Sequence, residues 1–140
     1  MTWEIWIGIA VLFWSLGPVL AKVGLATIDP LLALTIRTVS VAVILLITTT
    51  ARGSLGALRA LDPRAAAFLV ADGISGSLLA HLAYFYALSL GDASSVVPVS
   101  ATYPVLALLW SAILLREHIT PGRVAGAILI IAGVFLVRRS

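Results

Sequence analysis

Residues 65–90 read AAAFLVADGISGSLLAHLAYFYALSL, a run of apolar, small and hydroxyl-bearing side chains broken only by Asp72 and His81. A hydrocarbon layer about 30 Å thick takes about 20 helical residues to cross. This run is longer than that, so it crosses a bilayer with residues left for a tilt or a break. An aspartate near mid-membrane costs about 2.5–3.5 kcal/mol on insertion scales, and each Leu, Ile, Val or Phe returns about 0.3–0.6 kcal/mol. The ten such residues from Phe68 to Leu90 return roughly 4 kcal/mol together. The segment can therefore insert with its charge inside it.

Working outward, four further runs of the same kind stand at 4–24, 30–50, 94–115 and 122–137. The five together take up about three quarters of the 140 residues, leaving no room for a separate water-soluble domain. The chain is 61% apolar and 11% charged, against about 45–50% and about 25% in soluble domains, and its mean hydropathy is +1.15. Nine Lys and Arg with six Asp and Glu cannot clothe a water-facing surface of this size. A soluble enzyme, a disordered tail and a nucleic-acid module are excluded. The expectation is an all-α integral membrane protein with five transmembrane helices, one domain over residues 1–140. The excess of basic residues speaks to topology, because eight of the nine lie at or between the ends of apolar runs. With no cysteine, thiolate chemistry and disulfides are absent too.

The connections are short. Asp29-Pro30 closes the first turn, since a residue before proline leaves the helical region. Residues 51–64 form a loop with Gly53, Gly56 and Asp62-Pro63. Gly91-Asp92 makes a tight corner, with Ser94 or Ser95 to cap the next helix. Thr120-Pro121 reads as an N-cap followed by proline at the first helical position. Gly122, Gly126 and Gly133 point to close helix contact, within the chain or between copies. Trp3, Trp6 and Trp110 suit the membrane interface. An odd number of spans puts the termini on opposite sides. Arg52, Arg59, Arg64, Arg116 and Arg123 then fall on the N-terminal side, and Lys22, Arg138 and Arg139 on the other. That difference favours a cytoplasmic N-terminus only narrowly, so insertion in both orientations is an open expectation.

Arg37, Asp72 and His81 lie inside spans. By helical rise, Arg37 is about 4–5 Å from mid-span toward the C-terminal side, and His81 about 6 Å the same way. Asp72 is about 7–8 Å toward the N-terminal side. An upside-down second copy would bring its Asp72 to nearly the depth of Arg37 in the first. Asp72 and His81 are candidates for proton or ion coupling. A helix-pairing role stands beside that for Asp72, and a bond to a neighbouring hydroxyl or carbonyl for His81. Nine residues apart, the two face opposite sides of a straight helix, so they form no relay unless it breaks near Gly73 and Gly76. Pro98 and Pro104 each withdraw a backbone donor and tend to kink the fourth span. Ser100, Thr102 and Tyr103 are available to satisfy the freed groups or to meet a ligand. Broken helices at mid-membrane recur in transporter sites, so both prolines are candidates for a kink or gate.

At these residues the chain resembles the EamA domain of the drug/metabolite transporter superfamily. Trp14-Ser15-Leu16-Gly17-Pro18, Lys22, Pro30 and Arg37 are similar to the family's opening pattern. Tyr86-Ala87-Leu88, Ala93-Ser94, Pro98, Tyr103-Pro104, Arg116-Glu117, Gly122, Gly126 and Gly133 follow its second-half pattern in order. Ser15 departs from the usual glycine after tryptophan. The family commonly carries two such domains in inverted halves, and here there is one repeat. The resemblance therefore implies completion by an inverted copy or a related membrane subunit. It also implies a substrate cavity between halves, with Trp14, Arg37, Tyr86 and Tyr103 as candidate lining residues. Arg37 would pair an anionic group, and the aromatic rings would stack on a ring or cation. Arg116-Glu117 is read as structural, a salt bridge or helix-end anchor. Small multidrug-resistance proteins are similar neighbours, but their essential first-span Glu has no counterpart deeper than Glu4.

The function expected is secondary transport of a small metabolite or drug-like compound, by alternating access in an antiparallel dimer. The alternative is a non-transporting accessory subunit or a lipid-carrier flippase subunit of a hetero-oligomer. No paired aspartates, His-rich metal cluster or Gly-x-Ser-x-Gly elbow stands in the sequence, so no enzyme is expected. Without a phosphate-binding glycine loop, transport would be driven by a gradient and not by ATP. No cofactor, metal or nucleic-acid partner is expected. The partners are a small substrate, the bilayer and a membrane subunit, in a bacterial or archaeal cytoplasmic membrane.

Overall fold

Two Asp-Pro pairs set the starts of membrane helices. The Asp29 carboxylate accepts the amide N–H of Leu31 at 2.9 Å and of Leu32 at 3.3 Å, while Pro30 fills the first helical position. Asp62 does the same for Arg64 and Ala65, each at 3.2 Å, ahead of Pro63. Each pair satisfies orphan donors of a first turn and puts proline where its missing N–H costs nothing.

The computed structural model describes residues 2–139, apart from the side chain of Arg59. The described residues contain α1 (Trp3–Leu25), α2 (Pro30–Ala51), a 3₁₀ segment (Ser54–Ala60) and α3 (Pro63–Asp72). A π-helical segment (Gly73–Ala80) leads into α4 (His81–Leu90), followed by α5 (Ala93–Ser100), α6 (Tyr103–Leu114) and α7 (Pro121–Arg139). There is no strand among them. The protein is all-α, with five helical stretches long and apolar enough to cross a membrane: Trp3–Leu25, Pro30–Ala51, Pro63–Leu90, Ala93–Leu114 and Pro121–Arg139. These match the five expected runs to within two residues at each end.

The chain divides into two compact units, Met1–Leu90 and Gly91–Ser140. In the first, α4 packs on both α1 and α2, and α1 on α2. Its buried residues are Leu25, Pro30, Leu34, Phe85 and Leu88. They gather where the end of α1, the start of α2 and the end of α4 meet. Most other large apolar side chains face outward, from Trp3 and Phe13 to Leu45 and Leu69, as a lipid-facing surface requires. Gly53, at φ 67, stops α2 in the left-handed conformation that glycine adopts without strain. The 3₁₀ turns that follow lie in the stretch read above as loop.

In the second unit α7 packs on α5 and on α6. The fourth span breaks at Ala101-Thr102, between α5 and α6. The break falls between the two prolines, but the hydroxyls do not serve the carbonyls the prolines free. Pro98 and Pro104 withdraw donors from the carbonyls of Ser94 and Ser100. Ser100 and Thr102 bond instead to the carbonyls of Val97 at 2.7 Å and Val99 at 2.8 Å. The cap of α5 also differs from expectation: Asp92, not Ser94 or Ser95, is the N-cap residue, and its side chain makes no capping bond. Thr120 holds the cap position of α7 through its carbonyl, which accepts from Arg123 and Val124. Arg116 takes φ 55 just past α6, and the Glu117 amide turns back to the Ser111 carbonyl at 3.3 Å. The Arg116-Glu117 pair thus ends a helix, without an ion pair between the two among the described residues. Nothing stands within 4 Å of a Cβ built on Gly122, Gly126 or Gly133, so close contact at these glycines is not made within the second unit among the described residues.

Asp29→Ala should lower unfolding stability in detergent by about 1 kcal/mol, the usual worth of an N-cap. Ser94→Ala should leave it within about 0.5 kcal/mol, as expected of an uncapping surface change. Chemical unfolding followed by circular dichroism distinguishes the two.

Candidate functional site

Hydrocarbon offers a polar group no hydrogen-bond partner, so each hydroxyl on a span must find one in the protein. The three spans of the first unit carry ten serines and threonines. Ser15, Thr35, Ser40, Thr48, Thr49, Thr50, Ser75 and Ser89 each donate to a carbonyl three or four residues earlier, at 2.7–3.3 Å. Thr38 and Ser77 make no such bond, nor any other hydrogen bond among the described residues.

Both of these hydroxyl residues line the same groove. It has a volume of about 230 Å³ and is bounded by Arg37, Thr38, Val41, Ala42, Leu45 and Ser77. Arg37 stands one turn beyond buried Leu34, and its guanidinium carbon lies 5.8 Å from the centroid of the Phe85 ring. Phe85 is 5% exposed, so α4 presents a fixed aromatic face to the cation. No hydrogen bond or ion pair to Arg37 occurs among the described residues. Arg37 is about 5 Å from the middle of Pro30–Ala51, and Ser77 is within about 1 Å of the middle of Pro63–Leu90.

Of the candidate lining residues, Arg37 alone borders this groove. Trp14 and Tyr86 are exposed on α1 and α4. Trp14 sits at the centre of α1, where Pro18 withdraws the donor from its carbonyl. Tyr103 opens α6 in the second unit, and its side chain is exposed. Pro104 lines a separate groove of that unit, about 470 Å³, with Val105, Leu108, Arg123, Gly126, Ala127 and Ile130. Arg123 at its rim donates to the His118 carbonyl at 3.0 Å.

Asp72 and His81 flank the π segment. The Nδ1 of His81 lies 2.7 Å from the Gly76 carbonyl oxygen. A carbonyl only accepts, so the proton is on Nδ1 and the Nε2 of a neutral ring is free to accept. Five residues separate the two, the same reach as a π-helical backbone bond. The Asp72 carboxylate lies against Gly76, where a built Cβ would stand 3.6 Å from its Oδ1. No bond joins Asp72 to His81 among the described residues. The π segment falls where a break was the condition for a relay. It does not link the two side chains among the described residues.

The role of Lys22 was not apparent in the sequence, where it reads as a loop-side charge. Its Nζ donates to the Leu88 carbonyl at 2.6 Å. Leu88 lies in the last turn of α4 and its residue is wholly buried. The ammonium therefore caps the negative end of α4 from α1, across 66 residues of sequence. Lysine three residues before the end of an apolar helix is the only signal for it, and that signal also fits a plain interface charge.

The comparisons with known proteins agree with this architecture. The EamA-like transporter family matches residues 1–139, and the chain belongs to that family. It is similar to a protein described as an uncharacterized transporter in the cobO 3' region of a Sinorhizobium species. The two are 31% identical over 136 residues, covering 97% of this chain and 96% of the relative. No solved structure matches the chain significantly. It is thus an integral membrane protein of a transporter family.

Lys22→Met should lower stability by about 1.5–3 kcal/mol, the range for a hydrogen bond from a charged donor. Lys22→Arg should recover at least half of that loss. Unfolding in mixed detergent micelles measures both, and equal loss in both variants would remove the capping role.

Proposed function

We propose that the chain is a single domain forming one half of a gradient-driven secondary transporter, and that an inverted second copy supplies the other half. The observation that carries this reading is Arg37, an ionised side chain exposed near mid-span on a groove that the first unit leaves open. A charge at that depth costs several kcal/mol when it faces lipid. It is kept where it meets water, a partner or a substrate. Membership of a transporter family favours the substrate, and the unfilled glycine seam of α7 favours close approach by another helix.

In this reading substrate enters from one side and sits against the Arg37 groove, and the two copies rock about it to open the other side. Asp72 and His81 border a π segment, an irregularity common at functional sites. They are the groups whose protonation would couple a gradient to the motion. The π segment and the break at Ala101-Thr102 supply backbone that can change conformation without breaking a full helical ladder. The membrane proposed is the cytoplasmic membrane of a bacterium or archaeon, with insertion in both orientations. No catalytic step and no cofactor enters the cycle.

Purified chain alone in liposomes should accumulate at least one small labelled metabolite from a broad panel, under an imposed proton or sodium gradient and without ATP. Absence of flux with folded protein would favour the accessory-subunit or flippase-subunit alternative. Ser140→Cys adds the only cysteine to the chain. Its labelling by an impermeant maleimide should be partial in intact cells and complete in opened cells. Labelling confined to one side would contradict an inverted homodimer.

A further inference from the structure

Three polar groups on the Arg37 groove make no hydrogen bond among the described residues. The guanidinium presents five N–H donors, and its one aromatic contact among the described residues is the face of Phe85. The Thr38 and Ser77 hydroxyls stand apart from the other eight span hydroxyls of this unit, all of which turn back to their own helix. A hydroxyl that forgoes a carbonyl one turn away, at mid-membrane, is available to another acceptor. The guanidinium only donates, each hydroxyl can donate one hydrogen bond, and the net charge of the groove is positive.

We infer that Arg37, Thr38 and Ser77 form a recognition site for the carboxylate or phosphate group of a soluble anionic metabolite. The inference rests on the transport reading above and narrows its substrate class. A planar carboxylate or a phosphate oxygen pair matches the fork of a guanidinium, and its remaining lone pairs accept from two hydroxyls. A cation is disfavoured by Arg37 itself. The groove volume of about 230 Å³ equals about eight waters at roughly 30 Å³ each, room for the charged end of a small molecule. The walls Val41, Ala42 and Leu45 are apolar, and a low-dielectric surround strengthens an ion pair. Ser77 lies at mid-span, so a phospholipid headgroup would have to leave the interface by about half the hydrocarbon thickness to reach it.

The test is thermal unfolding of the purified protein in neutral detergent with benzoate, succinate or inorganic phosphate, with tetraphenylphosphonium and phosphatidylglycerol as contrasts. At least one of the three anions should raise the midpoint by several degrees in the wild type. The shift should vanish in Arg37→Gln, and affinity should fall about tenfold in Thr38→Val or Ser77→Ala, the order expected for one charge-assisted hydrogen bond. Arg37→Lys, which keeps the charge and loses the fork, should bind weakly and so provides a second variant if Arg37→Gln unfolds. Stabilisation that survives Arg37→Gln, or that only phosphatidylglycerol produces, would overturn the site. So would a wild type indifferent to all three anions. Arg37-dependent anion binding with no flux in liposomes would sink the transport reading and leave the site standing. Flux of a cation that Arg37→Gln does not alter would do the reverse.

Discussion

Hydrocarbon gives a polar group no partner, and the first unit is organised around that constraint. Its spans are helical from Trp3 to Leu90, widened to a π-helix over Gly73–Ala80, with short turns and a 3₁₀ segment between spans. The Leu88 carbonyl, near the end of α4, receives the ammonium of Lys22. The His81 ring bonds to the carbonyl of Gly76 within the π segment. Most span hydroxyls bond backward. The two serine and threonine hydroxyls of these spans that do not, Thr38 and Ser77, border one groove with Arg37.

The same constraint explains why so little of the chain is buried. Five buried residues of the first unit hold the ends of α1, α2 and α4 together, and the large apolar side chains elsewhere face out. In water that surface would be untenable. In a bilayer it is what inserts, and the parts of it that are charged or lined with glycine are where lipid is a poor neighbour. Arg37 and Asp72 on one unit and the Gly122–Gly126 seam on the other meet that description. An inverted copy would cover such surface, as the second half does in transporters built from inverted repeats.

Much of this was legible in the sequence, and the reason is the period and length of its apolar runs. All five spans could be bounded to within two residues because hydrocarbon thickness fixes helix length. Arg37, Asp72 and His81 stood out because ionisable groups inside spans are expensive. What could not be read was which partner each polar group finds. The Asp62-Pro63 pair was legible as a turn but not as a helix cap identical in form to Asp29-Pro30. Ser94 or Ser95 looked like the cap of α5, and Asp92 holds that position instead, without a side-chain bond that a sequence pattern would mark. Lys22 could not be tied to Leu88 because the bond spans two intervening helices. Thr38 and Ser77 carried no signal of their own, since their standing depends on what the other eight hydroxyls do. The π segment was foreshadowed only by Gly73 and Gly76, whose lack of side chains permits many alternatives.

The central claim, that two copies assemble upside down to one another, is tested most directly by which termini come together. Chains bearing Trp3→Cys and chains bearing Ser140→Cys can be co-expressed and treated with an impermeant bis-maleimide. With five spans, the N-terminus of one copy and the C-terminus of an inverted copy share a membrane side. The account predicts mixed links between the two variants. Links only between like variants, Trp3→Cys chains joined to each other and Ser140→Cys chains to each other, would mean a parallel pair and would contradict it.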